Sequence, residues 1–292
     1  MRAGATHRET APRPSGGAVA REVSATAESA VSAEICSGHF AHCIAATAVV
    51  VPRQLLIPGP RGELWTEALP RTLIGRGAGA LPGVAGSGTA FLVTPRHVVT
   101  AAHVVNPHRI THSAFVFGFT AASLRQPGDG LPLRYLFDHE AIAYGVSVTV
   151  PGATPCHDDI SLIELSKPIE RRGIAIAQPD AIALNQPVTL VGCAGLQPVT
   201  AAMAGVDPPA RVLAFDERIA QTSVRVAQGN SGSPLLDSNG DALGVHVSMA
   251  TPTIRQPASP SVIGNAGMVV ASAVRMRVIL DALVKIGAQI RT

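Results

Sequence analysis

An all-β fold is predicted by three features of the chain. Glycine (28) and proline (23) are plentiful, as frequent turns require. Charged residues make up only 15% of the chain, so the charged runs that mark exposed helices are scarce. Short stretches rich in Val and Thr suit pleated strands, and several alternate apolar with polar positions. The hydrophobic fraction of 47% marks a folded chain with a core to bury, and 292 residues suit one large domain or two small ones.

Residues 1 to about 35 are rich in Ala, Ser, Gly, Arg and Glu and lack apolar periodicity. They are expected to begin a poorly ordered leader spanning 1–50, with the folded domain over 51–292. The apolar run Ile44 to Val51 is short for a membrane span and lies too far from Met1 for a secretory signal. No membrane span is therefore expected, and the compartment is left open. Residues 53–86, with Trp65, read as loops that approach the first strands.

Gly86 to Val93 reads as a turn followed by a strand. His97 to Val105 reads as a second strand that runs into a short helical turn. Segments 113–119 and 142–150 are strand-like. After His157-Asp158-Asp159, residues Ile160 to Leu165 alternate with period two. Pro187 to Cys193 reads as a strand ending at a glycine. Residues 211–226 read as two strands around Asp216-Glu217. Leu235 to Val247 reads as a hairpin whose turn holds Asn239-Gly240. A last strand is expected at 267–272. From Val274 to about Ile290 the apolar positions Val278, Ile279, Leu280, Leu283, Val284 and Ile286 follow helical spacing, so a C-terminal amphipathic helix is expected over 274–290.

A net charge of +3 without a Lys/Arg block argues against nucleic acid or a membrane surface as a partner. The four cysteines admit two pairings, Cys36 with Cys43 and Cys156 with Cys193, and Cys193 also reads as a small buried hydrophobe within an apolar strand. No C-x-x-C pair occurs and the histidines, His139 included, lack ligand spacing, so no metal site and no cofactor are expected.

The chemistry gathers at Gln228-Gly229-Asn230-Ser231-Gly232-Ser233-Pro234. A serine between glycines, with no bulky neighbour before Leu235, suits a sharp turn that presents a hydroxyl. A serine hydroxyl needs a base within hydrogen-bond reach and donors for the oxyanion it creates. Two further pieces supply candidates: His103 in Thr100-Ala101-Ala102-His103, and Asp159 in Asp159-Ile160-Ser161-Leu162, with Asp158 as a rival. The N–H groups of Gly229 and Ser231 are the candidate oxyanion donors.

These three pieces, in the order His, Asp, Ser, resemble the chymotrypsin-like (trypsin-fold) serine proteases over roughly residues 84–290. Four features resemble its bacterial branch, which includes the glutamyl endopeptidases. They are Asn230 before the serine, the Val188 to Gly192 strand, the hairpin ending Gly244-Val245-His246, and Gly267-Met268-Val269 ahead of the helix. The resemblance implies two antiparallel six-stranded β-barrels, the first about 84–172 and the second about 185–273, with the junction near Arg171-Arg172-Gly173. It implies a serine endopeptidase that cleaves a protein or peptide substrate through an acyl-enzyme, with His103, Asp159 and Ser231 as the catalytic set. Two alternatives stay open: a silent binding or regulatory module on the same fold, and a serine esterase.

Departures from the family pattern are specific. Asn230 stands where animal members carry an Asp that pairs with a new N-terminus, so activation by that ion pair is not expected. Val104 follows the histidine where many members have cysteine, and Ser233 replaces a glycine. Gly-Asn-Ser-Gly-Ser also misses the Gly-x-Ser-x-Gly elbow of α/β-hydrolases. No PDZ-like domain is expected after the helix. For specificity, Arg225 occupies the place of the trypsin-type Asp. Val226 replaces a glutamyl-endopeptidase threonine, and His246 matches the histidine that holds a substrate carboxylate there.

Overall fold

The computed structural model describes residues 40–59, 64–66, 88–125, 134–150, 159–194, 198–202, 210–250 and 270–285. The expectations for the leader through residue 39, for Cys36, Cys156 and Asp158, for 267–269 and for Ile286 onward lie outside these residues.

The first barrel is closed. Its strands are β1 (Thr47–Pro52), β2 (Gly88–Thr94), β3 (His97–Thr100), β4 (Ser113–Phe117), β5 (Ile142–Val150) and β6 (Ser161–Leu165). They follow the order β1-β2-β3-β6-β5-β4, and β4 returns to β1. Every neighbouring pair is antiparallel. The barrel begins earlier than residue 84, because β1 pairs with β2 from Thr47↔Phe91 to Val50↔Gly88. The run Ile44 to Val51 is thus no part of a leader. Thr47 to Val51 are essentially buried, and a short unbroken apolar run is what a strand covered on both faces requires. A helix, α1 (Ala41–Ala46), precedes it.

A second sheet contains β7 (Thr189–Gly192), β8 (Thr200–Ala202), β9 (Val212–Phe215), β10 (Ile219–Thr222), β11 (Pro234–Leu236), β12 (Ala242–Ala250) and β13 (Val270–Arg275). Its order is β8-β7-β11-β12-β13-β10-β9. Edge strand β9 curls round to the residues that lead into β7: the Val188 N–H donates to Ala210 O at 2.9 Å and the Val212 N–H to Gln186 O at 3.0 Å. With β8 set aside as a flanking strand, the ring β7-β9-β10-β13-β12-β11 repeats the order of the first barrel. The two-barrel expectation is therefore met, with seven strands rather than six in the second sheet.

Short polar turns fix the hairpins. Asp216 Oδ1 accepts from the N–H groups of Arg218 (2.7 Å) and Ile219 (2.8 Å), closing β9 onto β10. Asp237 Oδ1 accepts from Asn239 (2.8 Å) and Asp241 (3.0 Å), closing β11 onto β12. Each aspartate satisfies backbone donors that the turn leaves unpaired. A small four-stranded sheet flanks the first barrel, in the order Ile57–Pro58, Leu64–Thr66, Arg134–Phe137, Leu124–Arg125. It replaces part of the loop expected over 53–86, and Tyr135 meets Phe119 edge-on at 4.7 Å beneath it.

The barrels are stitched together by the junction. Ile174 N–H donates to Leu92 O in the first barrel at 2.8 Å, and Ala242 N–H in the second donates to Ala175 O at 2.8 Å. The terminal helix, α2 (Arg277–Lys285), crosses back from β13 to contact β5 and β6. It starts three residues later than expected because Val274 and Arg275 still pair in the sheet, with Val245 and Gly244. Ile279 and Leu283 are fully buried, whereas Val284, placed in the apolar stripe by spacing, is 69% exposed. Each fully buried aliphatic side chain stabilises the fold by about 1.5–3 kcal/mol. Cys43 and Cys193 are both buried with free thiols, and Cys193 packs as the small buried hydrophobe expected of it. Among the described residues no helix is long and apolar enough to cross a membrane.

Candidate active site

His103 lies on the 3-10 turn Ala102–Val104 just after β3, and Asp159 lies two residues ahead of β6. The register pairs Thr100 with Ser161, so both residues emerge at the same end of the first barrel. The Asp159 carboxylate grips His103 twice. Oδ1 accepts from the His103 backbone N–H at 2.9 Å, and Oδ2 meets ring Nδ1 at 2.6 Å. Asp159 is buried, while the His103 side chain keeps 39% of its surface exposed. The bond to Asp159 raises the His103 pKa above its ordinary value; burial opposes this, and the carboxylate charge adds to it.

Ser231 comes from the second barrel, on the turn between β10 and β11. Its carbonyl accepts from the Thr89 N–H of β2 at 2.8 Å, so the serine loop is bonded directly to the first barrel. Gly88 marks the junction: a Cβ there would lie 2.7 Å from both Ser231 O and the Val104 side chain, next to His103. The loop is wound tightly. Asn230 N–H donates to Ala227 O (3.1 Å) and Ser233 N–H to Asn230 O (3.0 Å), while Gly232 N–H donates to His246 O (2.8 Å). Gly232 has φ +89°, and a Cβ there would run into the Thr89 carbonyl and Thr100 Oγ1. Only glycine fits that backbone. Gly229 likewise has φ +96°. Among the described residues nothing accepts from the Gly229 or Ser231 N–H.

Asn230 is buried, with its side-chain nitrogen unpaired among the described residues. His246, on β12, is 4% exposed. Burial pushes its pKa down to about 4; a backbone hydrogen bond to Ser272 opposes the shift and nearby His103 adds to it. It is therefore neutral at pH 7, and its backbone brackets the loop by accepting from Gly232 and donating to Ser233 O at 2.9 Å. Arg225 is exposed, and Val226 is half-buried against the core of the second barrel. Sequence reasoning missed Thr89 altogether. Among the described residues no group of three or more His, Cys, Asp and Glu side chains is placed to hold a metal ion.

Two β-barrels joined by a serine loop, with a histidine–carboxylate pair at the seam, define a class of protein: the trypsin-fold serine proteases. The family model of the trypsin-like peptidase domain matches residues 88–245, over half the chain, and the chain belongs to that family. Among solved structures it is similar to the active form of the Rv3671c protease of M. tuberculosis, at 18% identity and TM-score 0.48, covering 89% of this chain and 88% of that one. It is also similar to a serine endoprotease from Yersinia pestis, at 13% identity and TM-score 0.49, covering 85% of this chain and 64% of that one. No curated protein sequence matches it significantly.

Proposed function

We propose that the chain is a serine endopeptidase in which His103, Asp159 and Ser231 act as a catalytic triad. The observation that carries the reading is the two-point hold of Asp159 on His103. It leaves the imidazole one orientation, with the proton on Nδ1 and Nε2 free to act as a base. Ser231 Oγ gives its proton to Nε2 as it attacks the scissile carbonyl carbon. The oxyanion is received by the Gly229 and Ser231 N–H groups, and losing one such donor typically costs about 100- to 1000-fold in rate. The imidazolium then protonates the leaving amine. Water, deprotonated by the same nitrogen, releases the acid and restores Ser231.

The test is labelling of the purified chain with a fluorophosphonate, followed by peptide mapping and turnover of a protein against a small ester. A single adduct on Ser231 with protein cleavage is the expected result. No adduct leaves the silent module, and ester turnover without protein cleavage leaves the esterase.

An acidic cleavage preference enters this reading through His246 as an uncharged hydrogen-bonding partner, since burial keeps it neutral at pH 7, with Arg225 as an exposed cation. Peptides cut from a library are expected to be enriched in Glu or Asp at the cleaved bond. A flat profile removes His246, Arg225 and Val226 from the specificity set.

A further inference from the structure

Thr89 is completely buried and uses every polar group it has at the barrel seam. Its N–H holds Ser231 O, and its carbonyl accepts from Thr100 Oγ1 at 2.6 Å. Its own hydroxyl donates to Gly229 O at 2.8 Å and accepts from the Cys193 N–H at 3.1 Å. Both partners of the hydroxyl belong to the second barrel, Gly229 on the serine loop and Cys193 just after β7, although Thr89 itself lies on β2 opposite Val49. The hydroxyl is therefore spare for the first barrel.

The peptide after Gly229 is held at both ends: its N–H, on Asn230, donates to Ala227 O at 3.1 Å, and its carbonyl accepts from the Thr89 hydroxyl of the other barrel. Gly229 sits at φ +96°, where glycine has wide rotational freedom. A peptide is planar, so fixing its carbonyl fixes the direction of the whole unit. We infer that the Thr89 hydroxyl is a positioning group: by holding Gly229 O it sets the loop that presents the oxyanion donors and Ser231. The inference rests on the serine-protease reading for its effect on rate, and on geometry alone for its effect on the loop.

Thr89→Val keeps the shape and backbone bonds and removes the hydroxyl; Thr89→Ser restores it without the methyl. Three quantities are measured: kcat and KM on a peptide substrate, the pH profile, and amide hydrogen exchange over 227–233. The valine variant is expected to lose about tenfold to a hundredfold in kcat, the scale of a group misplaced by an ångström. KM should change less, the acid limb of the pH profile should stay put because Asp159 and His103 are untouched, and exchange in the loop should accelerate. The serine variant should return all of these close to the unmodified chain. Unchanged kcat and exchange in the valine variant overturn the inference, as does a serine variant as impaired as valine, which assigns the effect to methyl packing. If the unmodified chain neither turns over nor labels, the protease reading fails separately, and loop exchange still decides whether the hydroxyl holds Gly229.

Discussion

Ser231→Ala is expected to lower peptide-bond turnover by about a millionfold, the scale seen when a triad serine is removed. The loop itself should survive the change. Its ties run through the Ser231 carbonyl to Thr89, through Gly232 N–H to His246 O, and through Asn230 and Ser233. None uses the Ser231 side chain. Circular dichroism and thermal unfolding should therefore match the unmodified chain, and the loss reads chemistry rather than folding. A residual acceleration of about 1000- to 10,000-fold over water should remain if the Gly229 and Ser231 N–H groups still receive the oxyanion. Retention of even a hundredth of the turnover would assign the nucleophile to another group.

The three residues of this proposal were legible because each sits in a short local pattern: a Thr-Ala-Ala-His stretch after a β-branched strand, an aspartate before an alternating strand, a serine among glycines. The choice of Asp159 over Asp158 rests on the family pattern, in which Ile160, Ser161 and Leu162 follow the aspartate, and it is Asp159 that grips His103. What sequence could not reach is pairing across long separations. Thr47 to Val51 form a barrel strand because Phe91 to Gly88 and Phe117 to Ser113 flank them on either side. The run is unbroken and apolar, as such a strand requires, but nothing within it names the two partner strands that cover it. Val274 and Arg275 read as the start of a helix by spacing, yet pairing with β12 keeps them extended, an instance of sheet contacts overriding local preference. Thr89 looks like any strand threonine, and its role at the seam depends on Gly229, 140 positions away. His246 is matched from the sequence to a carboxylate-holding histidine; its neutrality arises from burial, which composition does not show.

Asp159→Asn is expected to reduce turnover by about 10,000-fold, and the two-point grip explains the size of the loss. The His103 backbone N–H requires an acceptor, so the amide oxygen of the asparagine should take the place of Oδ1. That choice puts the amide nitrogen, a donor, where Oδ2 faces Nδ1. Nδ1 must then accept, the ring proton moves to Nε2, and the nitrogen facing the substrate no longer takes a proton from Ser231. The pH dependence should shift in the same variant. In the unmodified chain the base works only when His103 is neutral, so turnover should rise with pH through a His103 pKa lying above its ordinary value of 6.5. The same upward shift makes the folded state favour the imidazolium. The resulting stabilisation is fully present below pH 6.5 and is lost as pH rises through the raised value. Removing the carboxylate takes away the largest cause of the shift, so the acid limb of the residual activity should move to lower pH, and the low-pH stabilisation should disappear with it. Steady-state rates across pH, together with NMR titration of the His103 ring, measure both. An acid limb that stays in place in Asp159→Asn would mean that another group sets the His103 titration.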